Sequence, residues 1–214
     1  MKRILFYLLS FIIVSCDTTE IYIDVYDPVQ AALDSIEQRE DDIDLIYSYL
    51  QSEDINYVDT TNSGVFYSII DEGNNELFPE NNDLVSIHIT GYYTNDSIFF
   101  TNDSIDLVIF DTNIKSLAES IGYFDPDKYY SPIVYTYNGL GSFFPVVSDH
   151  GYLALLSDFK STLGKALSKI SERGRIKILM PSANAYGTTG NTTSPEIPGD
   201  AILIFDIHLI QIRK

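Results

Sequence analysis

Tryptophan is absent from the 214-residue chain, and cysteine occurs once, at Cys16. A single thiol excludes an internal disulfide framework. Histidine is scarce too: His88, His150 and His208 stand far apart with no His-Glu-x-x-His spacing, so no zinc site is expected. The 13 Lys and Arg face 31 Asp and Glu, for a formal charge of −18. Nucleic acid is not expected as a partner, because phosphate contacts need clustered Lys and Arg. No Gly-x-Gly-x-x-Gly or phosphate loop occurs, which argues against a nucleotide fold. "GLGSFF" does not match the Gly-x-Ser-x-Gly turn of a serine hydrolase. "FDPDKYY" (124–130) has carboxylates but neither the spacing nor the glycine of a calcium loop, and no pair of acids stands out for glycoside hydrolysis. Neither metal nor cofactor is therefore expected.

Long apolar runs are missing as well. The first sixteen residues, "MKRILFYLLSFIIVSC", carry two basic residues and an apolar run from Ile4 to Val14. That is short of the roughly 20 residues a spanning helix needs, and it reads as an export signal. Ile13-Val14-Ser15-Cys16 resembles the bacterial lipobox, in which cleavage leaves the cysteine as a lipid-modified N-terminus. The expectation is a signal peptide over 1–15, lipidation at Cys16 and an acidic tether over 16–27. The protein would then be exported and lipid-anchored to the bacterial cell envelope, facing the periplasm or the surface. An ordinary secretory signal with an incidental cysteine is the alternative. Loss of Lys2 and Arg3 with the signal leaves the remainder more acidic still, which favours solubility near a surface.

Asp27-Pro28 is a helix start, Asp as N-cap and Pro at the first helical position. Val29, Ala32, Leu33, Ile36, Ile43, Ile46, Tyr47 and Leu50 recur at three- and four-residue spacing, which predicts one or two amphipathic helices between 28 and 52. "EQREDD" interrupts the stripe. This N-terminal helical segment (28–58) either packs on its own domain or forms a homodimer through residues 28–52. Beyond residue 62 the pattern becomes strands. "SGVFYSIIDEG" alternates, and "DLVSIHITGYY" sets Leu84, Ser86 and His88 against Val85, Ile87 and Ile89, with His88 structural on the more polar face. The near-repeat "TNDSIFFTNDSI" supplies turn formers that close a long hairpin into "DLVIFD". Residues 112–158 look irregular and rich in Tyr, Phe and Pro. "SDFKSTLGKALSKI" has helical spacing through Phe159, Leu163, Leu167 and Ile170, and "GRIKILMP" and "AILIFDIHLIQI" are strands. The order implies an α+β domain, an antiparallel sheet closing on one helix. Between the last two strands lies "SANAYGTTGNTTSPEIP", either a disordered loop or a shaped lip over a site.

Taken in order, "SGVFYSIIDEG", "DLVSIHITGYY", "VIFDTN", "YSPIVYTYN", "KALSKISERGRIKILMPSANAYG" and "EIPGDAILIFDIHLI" resemble the successive blocks of an FKBP-type peptidyl-prolyl cis-trans isomerase. The resemblance covers roughly residues 62–212 and gives the chain a domain over 59–214. It implies a half-open antiparallel sheet wrapped around a short helix, with a pocket between them for a substrate proline. In that pocket Tyr186 takes the place of the tyrosine that hydrogen-bonds a bound carbonyl. Phe110 and Asp111 match the Phe-Asp pair, Phe205 the inner-strand aromatic and Ile197 the apolar residue after the tyrosine loop. Ile133 and Tyr135 match the strand after the pair, and Phe159 the apolar position opening the helix. The chain departs from the pattern at Ile89, where the family has Tyr, at Leu163, where a Trp forms the pocket floor, and at Thr162 and Asn191. Insertions fall at about 113–131 and 138–158. Their aromatics, Tyr123, Phe124, Tyr129, Tyr130, Phe143 and Phe144, either pack beside or over the pocket or fill a satellite core.

The resemblance implies a peptidyl-prolyl isomerase that assists folding of exported proteins, with proline-containing polypeptides as clients and no cofactor. A catalytically weak or inactive chaperone or binding lipoprotein on the same fold is the alternative. A surface lipoprotein of unrelated role is a third reading.

Overall fold

The computed structural model describes residues 27–94, 106–138, 156–193 and 195–214. Cys16 and its signal, the tether to residue 26, most of the "TNDSIFFTNDSI" turn, His150, Phe143, Phe144 and most of the second insertion lie outside the described residues. Asp27 and Pro28 start helix α1 (Pro28–Ser52). The Asp27 carboxylate accepts from the N–H groups of Val29 at 2.9 Å and Gln30 at 3.4 Å. One continuous helix forms, because "EQREDD" contains neither Gly nor Pro and the Gln38 amide bonds to Asp42 one turn on at 2.9 Å. The polar stretch divides the helix by environment. Beyond it Ile46, Tyr49 and Leu50 are buried, whereas Val29, Leu33 and Ile36 before it are exposed. Among the described residues no helix is long and apolar enough to cross a membrane.

Among the described residues seven strands form one antiparallel sheet: β1 (Asp59–Thr60), β2 (Phe66–Asp71), β3 (Leu84–Thr94), β4 (Leu107–Thr112), β5 (Ile133–Thr136), β6 (Arg175–Met180) and β7 (Leu203–Arg213). Their order is β1-β2-β6-β7-β3-β4, and β5 also pairs with β3. Helix α3 (Ser157–Leu167) covers one face. Period-two alternation sorts the side chains. Leu203, Phe205, Ile207 and Leu209 of β7 join Phe159, Leu163 and Leu167 of α3 in the main core. Ile202, just before the strand, and Ile204 face the other way and join Phe66, Leu179 and the second half of α1. Burial on both faces is why "AILIF" reads as an unbroken apolar run. The architecture is the α+β arrangement implied by the resemblance, a half-open antiparallel sheet wrapped on a short helix and preceded by a longer one.

Residues 112–158 are more regular than expected. They contain the short helix α2 (Lys115–Ser120) as well as β5. Six and four residues are too few for a periodic pattern to show, and α2 has no side-chain cap to mark its start.

One side chain organises the edge of β3. Strand β4 pairs with its second half, Thr90–Thr94, and β5 with its first, Leu84–Ile87. The gap between the two is filled by Asn113, 1% exposed. Its backbone N–H donates to the Ile89 carbonyl at 3.2 Å, its Oδ1 accepts from the Ile89 N–H at 2.9 Å, and its Nδ2 donates to the carbonyls of Ile87 at 3.2 Å and Ser131 at 3.0 Å. The amide thus continues the ladder where no strand backbone lies, and it ties the start of the first insertion to its end. Asn113→Ala should cost roughly 2–6 kcal/mol, about 1–3 for each of the two buried backbone groups, of Ile87 and Ile89, left unpaired. Urea denaturation would measure it, and a change below about 0.5 kcal/mol would contradict this account.

Candidate functional site

The end of β4, the middle of β7 and the start of α3 converge under the loop that carries Tyr186. Phe205 is the hub. Its ring lies 4.5 Å from that of Phe159 and 5.9 Å, edge-on, from that of Phe110. Phe110 in turn stacks on Tyr93 at 6.4 Å. Gly91 makes room for this arrangement, since a Cβ there would sit 2.5 Å from the Phe110 ring. Ile89, Phe110, Ile133, Tyr135, Phe159, Leu163, Ile197 and Phe205 all belong to one buried cluster, and Tyr186 packs against it. The side chains named from the sequence are thus brought together.

They are not all brought to an opening. Phe159, Leu163 and Phe205 are each 0% exposed, so the expected pocket floor is solid core. Two close-packed phenylalanines, with Leu163 beside them, take up the space under the loop. A cavity of about 570 Å³ lies to one side, between Tyr93, Phe110 and Tyr123 on one wall and Thr189, Asn191, Thr192 and residues 195–199 of the loop on the other. Of the residues named from the sequence as site residues, Phe110 and Ile197 line it. Tyr93 could have been found by its place two residues beyond Gly91 on the same strand face. Pro195, Glu196 and Thr192 carried no signal beyond lying in the loop.

The loop is a shaped lip. Ser182–Asn184 and Gly187–Thr189 form short 3-10 turns. Asn191 and Ile197 exchange backbone hydrogen bonds of 2.8 and 2.9 Å, and the Asn191 side-chain amide donates to the Pro195 carbonyl at 2.6 Å. Asn191, which departs from the family pattern, is therefore used to close the loop on itself. Gly190 has φ +69°, and a Cβ on it would meet the Ile197 carbonyl oxygen at 2.4 Å, so only glycine fits there.

Tyr186 is half-buried, and its hydroxyl is shielded from solvent with no hydrogen-bond partner among the described residues. Burial pushes its pKa up, which keeps the phenol protonated and able to donate. An unpaired buried donor costs on the order of 1–3 kcal/mol. A ligand carbonyl reaching it would recover that cost.

Asp111 is 6% exposed and forms an ion pair with Lys128. Lys128 belongs to the first insertion, where a turn at 125–128 presents it and Tyr130 lies 5.6 Å below its ammonium. Tyr123 of the same insertion reaches the cavity, Phe124 stacks on Tyr130 at 5.5 Å, and Tyr129 is exposed. The described part of the insertions thus packs beside the cavity. His88 has the structural place expected. Its Nδ1 lies 3.1 Å from Asn113 Oδ1, an oxygen already accepting from a backbone N–H, so Nδ1 is the donor. Among the described residues no three His, Cys, Asp or Glu side chains gather as a metal would require.

No protein-family model and no curated protein matches the chain. Several solved structures are similar to it. The crystal structure of FkpA from Escherichia coli is 19% identical, with a TM-score of 0.42, over 86% of this chain and 68% of that one. A peptidyl-prolyl cis-trans isomerase from Pseudomonas syringae pv. tomato is 16% identical, with a TM-score of 0.45, over 88% and 98%. The N-terminal domain of FKBP42 from Arabidopsis thaliana is 16% identical, with a TM-score of 0.46, over 74% and 94%.

Lys128→Met should destabilise the fold by about 1–3 kcal/mol, because it removes the cation that faces the buried Asp111 carboxylate. Adding Asp111→Asn should restore part of the loss. Denaturation of the two variants checks this, and an equal or larger loss in the double variant would count against the pair.

Proposed function

We propose that this protein is a peptidyl-prolyl cis-trans isomerase that assists the folding of exported proteins, with proline-containing polypeptides as its clients. The observation that carries the reading is the Tyr186 hydroxyl, buried and with no hydrogen-bond partner among the described residues, at the rim of an aromatic cluster. Rotation about X-Pro faces a barrier of roughly 18–20 kcal/mol and takes tens to hundreds of seconds unaided. It needs no nucleophile and no proton transfer, only a surface that binds the twisted amide better than the planar one. Phe110, Tyr93 and Ile197 supply apolar walls around the cavity, and Tyr186 supplies a donor for a carbonyl. Asp111, held by Lys128, orients the end of β4 and takes no part in bond making.

A second reading is favoured by the solid floor. With Phe159, Leu163 and Phe205 fully buried, the site grips a chain at the lateral cavity and turns it over slowly or not at all. That protein would be a chaperone or binding lipoprotein of the cell envelope.

Rotation of a proline-containing tetrapeptide separates the readings. The protein should accelerate it, and Tyr186→Phe should lower the rate roughly 2- to 10-fold, the loss of one hydrogen bond. An unchanged rate in Tyr186→Phe sinks the assignment of the donor. Absence of acceleration by the unmodified protein, with client aggregation still suppressed, favours the second reading.

The proposal includes a lipid at Cys16 that holds the protein on the envelope, and a homodimer through the exposed apolar residues Val29, Leu33 and Ile36 of α1. Cys16→Ser should move the protein from the membrane to the soluble fraction. That soluble form should sediment as a dimer which Leu33→Asp converts to a monomer. Retention in the membrane, or a monomer from the outset, would reject the respective part.

A further inference from the structure

We infer that α1 is a positioning element of the site, acting through Asp42 on the loop that carries Tyr186; its effect on turnover rests on the isomerase reading above. Asp42 lies near the middle of α1 and is 2% exposed. A carboxylate so deeply buried is costly unless its oxygens are satisfied. One oxygen accepts from both the backbone N–H and the hydroxyl of Ser182, each at 2.7 Å. The other accepts from the Gln38 amide at 2.9 Å.

Ser182 is the first residue of the 3-10 turn Ser182–Asn184. The N–H groups at the start of such a turn have no partner within it, and a side chain just upstream ordinarily caps them. Pro181 stands in the capping place and has no side-chain acceptor. The cap comes instead from a helix 140 positions earlier in the chain. Farther along the same turn, the Asn184 side-chain amide donates to the Ser63 carbonyl at 3.0 Å and to Asp158 of α3 at 2.9 Å. The turn is therefore pinned from α1, from the entry to β2 and from α3. Among these only the Asp42 carboxylate takes hold of its main chain with a charge, and charge-assisted bonds are the stronger kind.

Tyr186 follows Asn184 by two residues. Its hydroxyl has no hydrogen bond of its own among the described residues, so nothing at the tip of the side chain fixes it. Its position is set by ring packing and by the backbone beneath it. Asp42 supports that backbone. A donor whose use depends on meeting a carbonyl in the transition state is sensitive to displacement of a fraction of an ångström to an ångström. Asp42 is thus a positioning residue, coupled to the reaction through Ser182 and Tyr186.

The test uses the full chain with Asp42→Ala, Asp42→Asn and a control, Leu209→Ala, which destabilises the core away from α1. The ring resonances of Tyr186, assigned by their loss in Tyr186→Phe, should shift in Asp42→Ala, shift less in Asp42→Asn, which keeps one acceptor oxygen, and stay in place in Leu209→Ala. In peptide rotation, kcat should fall about tenfold in Asp42→Ala with KM within about twofold, and Asp42→Asn should recover part of the loss. Unmoved Tyr186 resonances in Asp42→Ala overturn the inference, as does the same shift in Leu209→Ala. A shifted ring with unchanged kcat overturns its effect on turnover. An inactive unmodified protein rejects the isomerase reading instead, and the resonances then still decide whether Asp42 positions the loop.

Discussion

A single side-chain amide, that of Asn113, carries the junction on which the site is built. Strand β3 bonds to β7 along one edge and must share its other edge between two shorter strands. Without a bridge, backbone groups of Ile87 and Ile89 would be buried and unpaired, which folded proteins rarely allow. Asn113 supplies the bridge and also holds Ser131, so the insertion between them is closed at its base. That closure is what lets Lys128 and Tyr123 reach back to Asp111 and the cavity. The insertion acts as part of the wall because both its ends are fastened at one point.

Helices α1 and α3 divide the remaining work. Helix α3 fills the concave face of the sheet with Phe159 and Leu163, both fully buried. Helix α1 covers the opposite face with Ile46, Tyr49 and Leu50 and sends Asp42 to the base of the loop. Polar contacts secure it as well: Lys177 of β6 donates to the Tyr49 hydroxyl at 2.9 Å and lies 3.8 Å from Asp206. A cavity that cannot form over a filled floor forms at the side, where the lip stands away from Phe110 and Tyr93.

Much of this was legible in the sequence. The start of α1 could be read because Asp27-Pro28 is a local device, complete within four residues. The succession of strands along the chain and the identity of the inner cluster could be read because alternation and block order survive even where single residues depart. Replacement of a Trp floor was visible at Leu163, but its result was not. Whether a smaller residue leaves a hollow or lets neighbours close depends on Phe159 and Phe205 meeting across 46 positions of sequence, a contact with no local signature, here at a ring spacing of 4.5 Å. The Asp42–Ser182 contact was hidden for the same reason, since an Asp inside "EQREDD" looks like any solvated charge. Short elements such as α2 and β5 escape periodic analysis because they end before a period repeats.

The unpaired hydroxyl of Tyr186 also bears on how the chain can change. Phenylalanine at this position would keep the ring packing and remove a buried hydroxyl that has no hydrogen-bond partner among the described residues. Stability alone therefore favours the loss of the oxygen atom, by an amount comparable with many stabilising substitutions. A lineage freed from whatever uses the donor would drift toward Phe at no expense in folding. The tyrosine is thus a point of local frustration, where folding stability and use of the donor select for different residues.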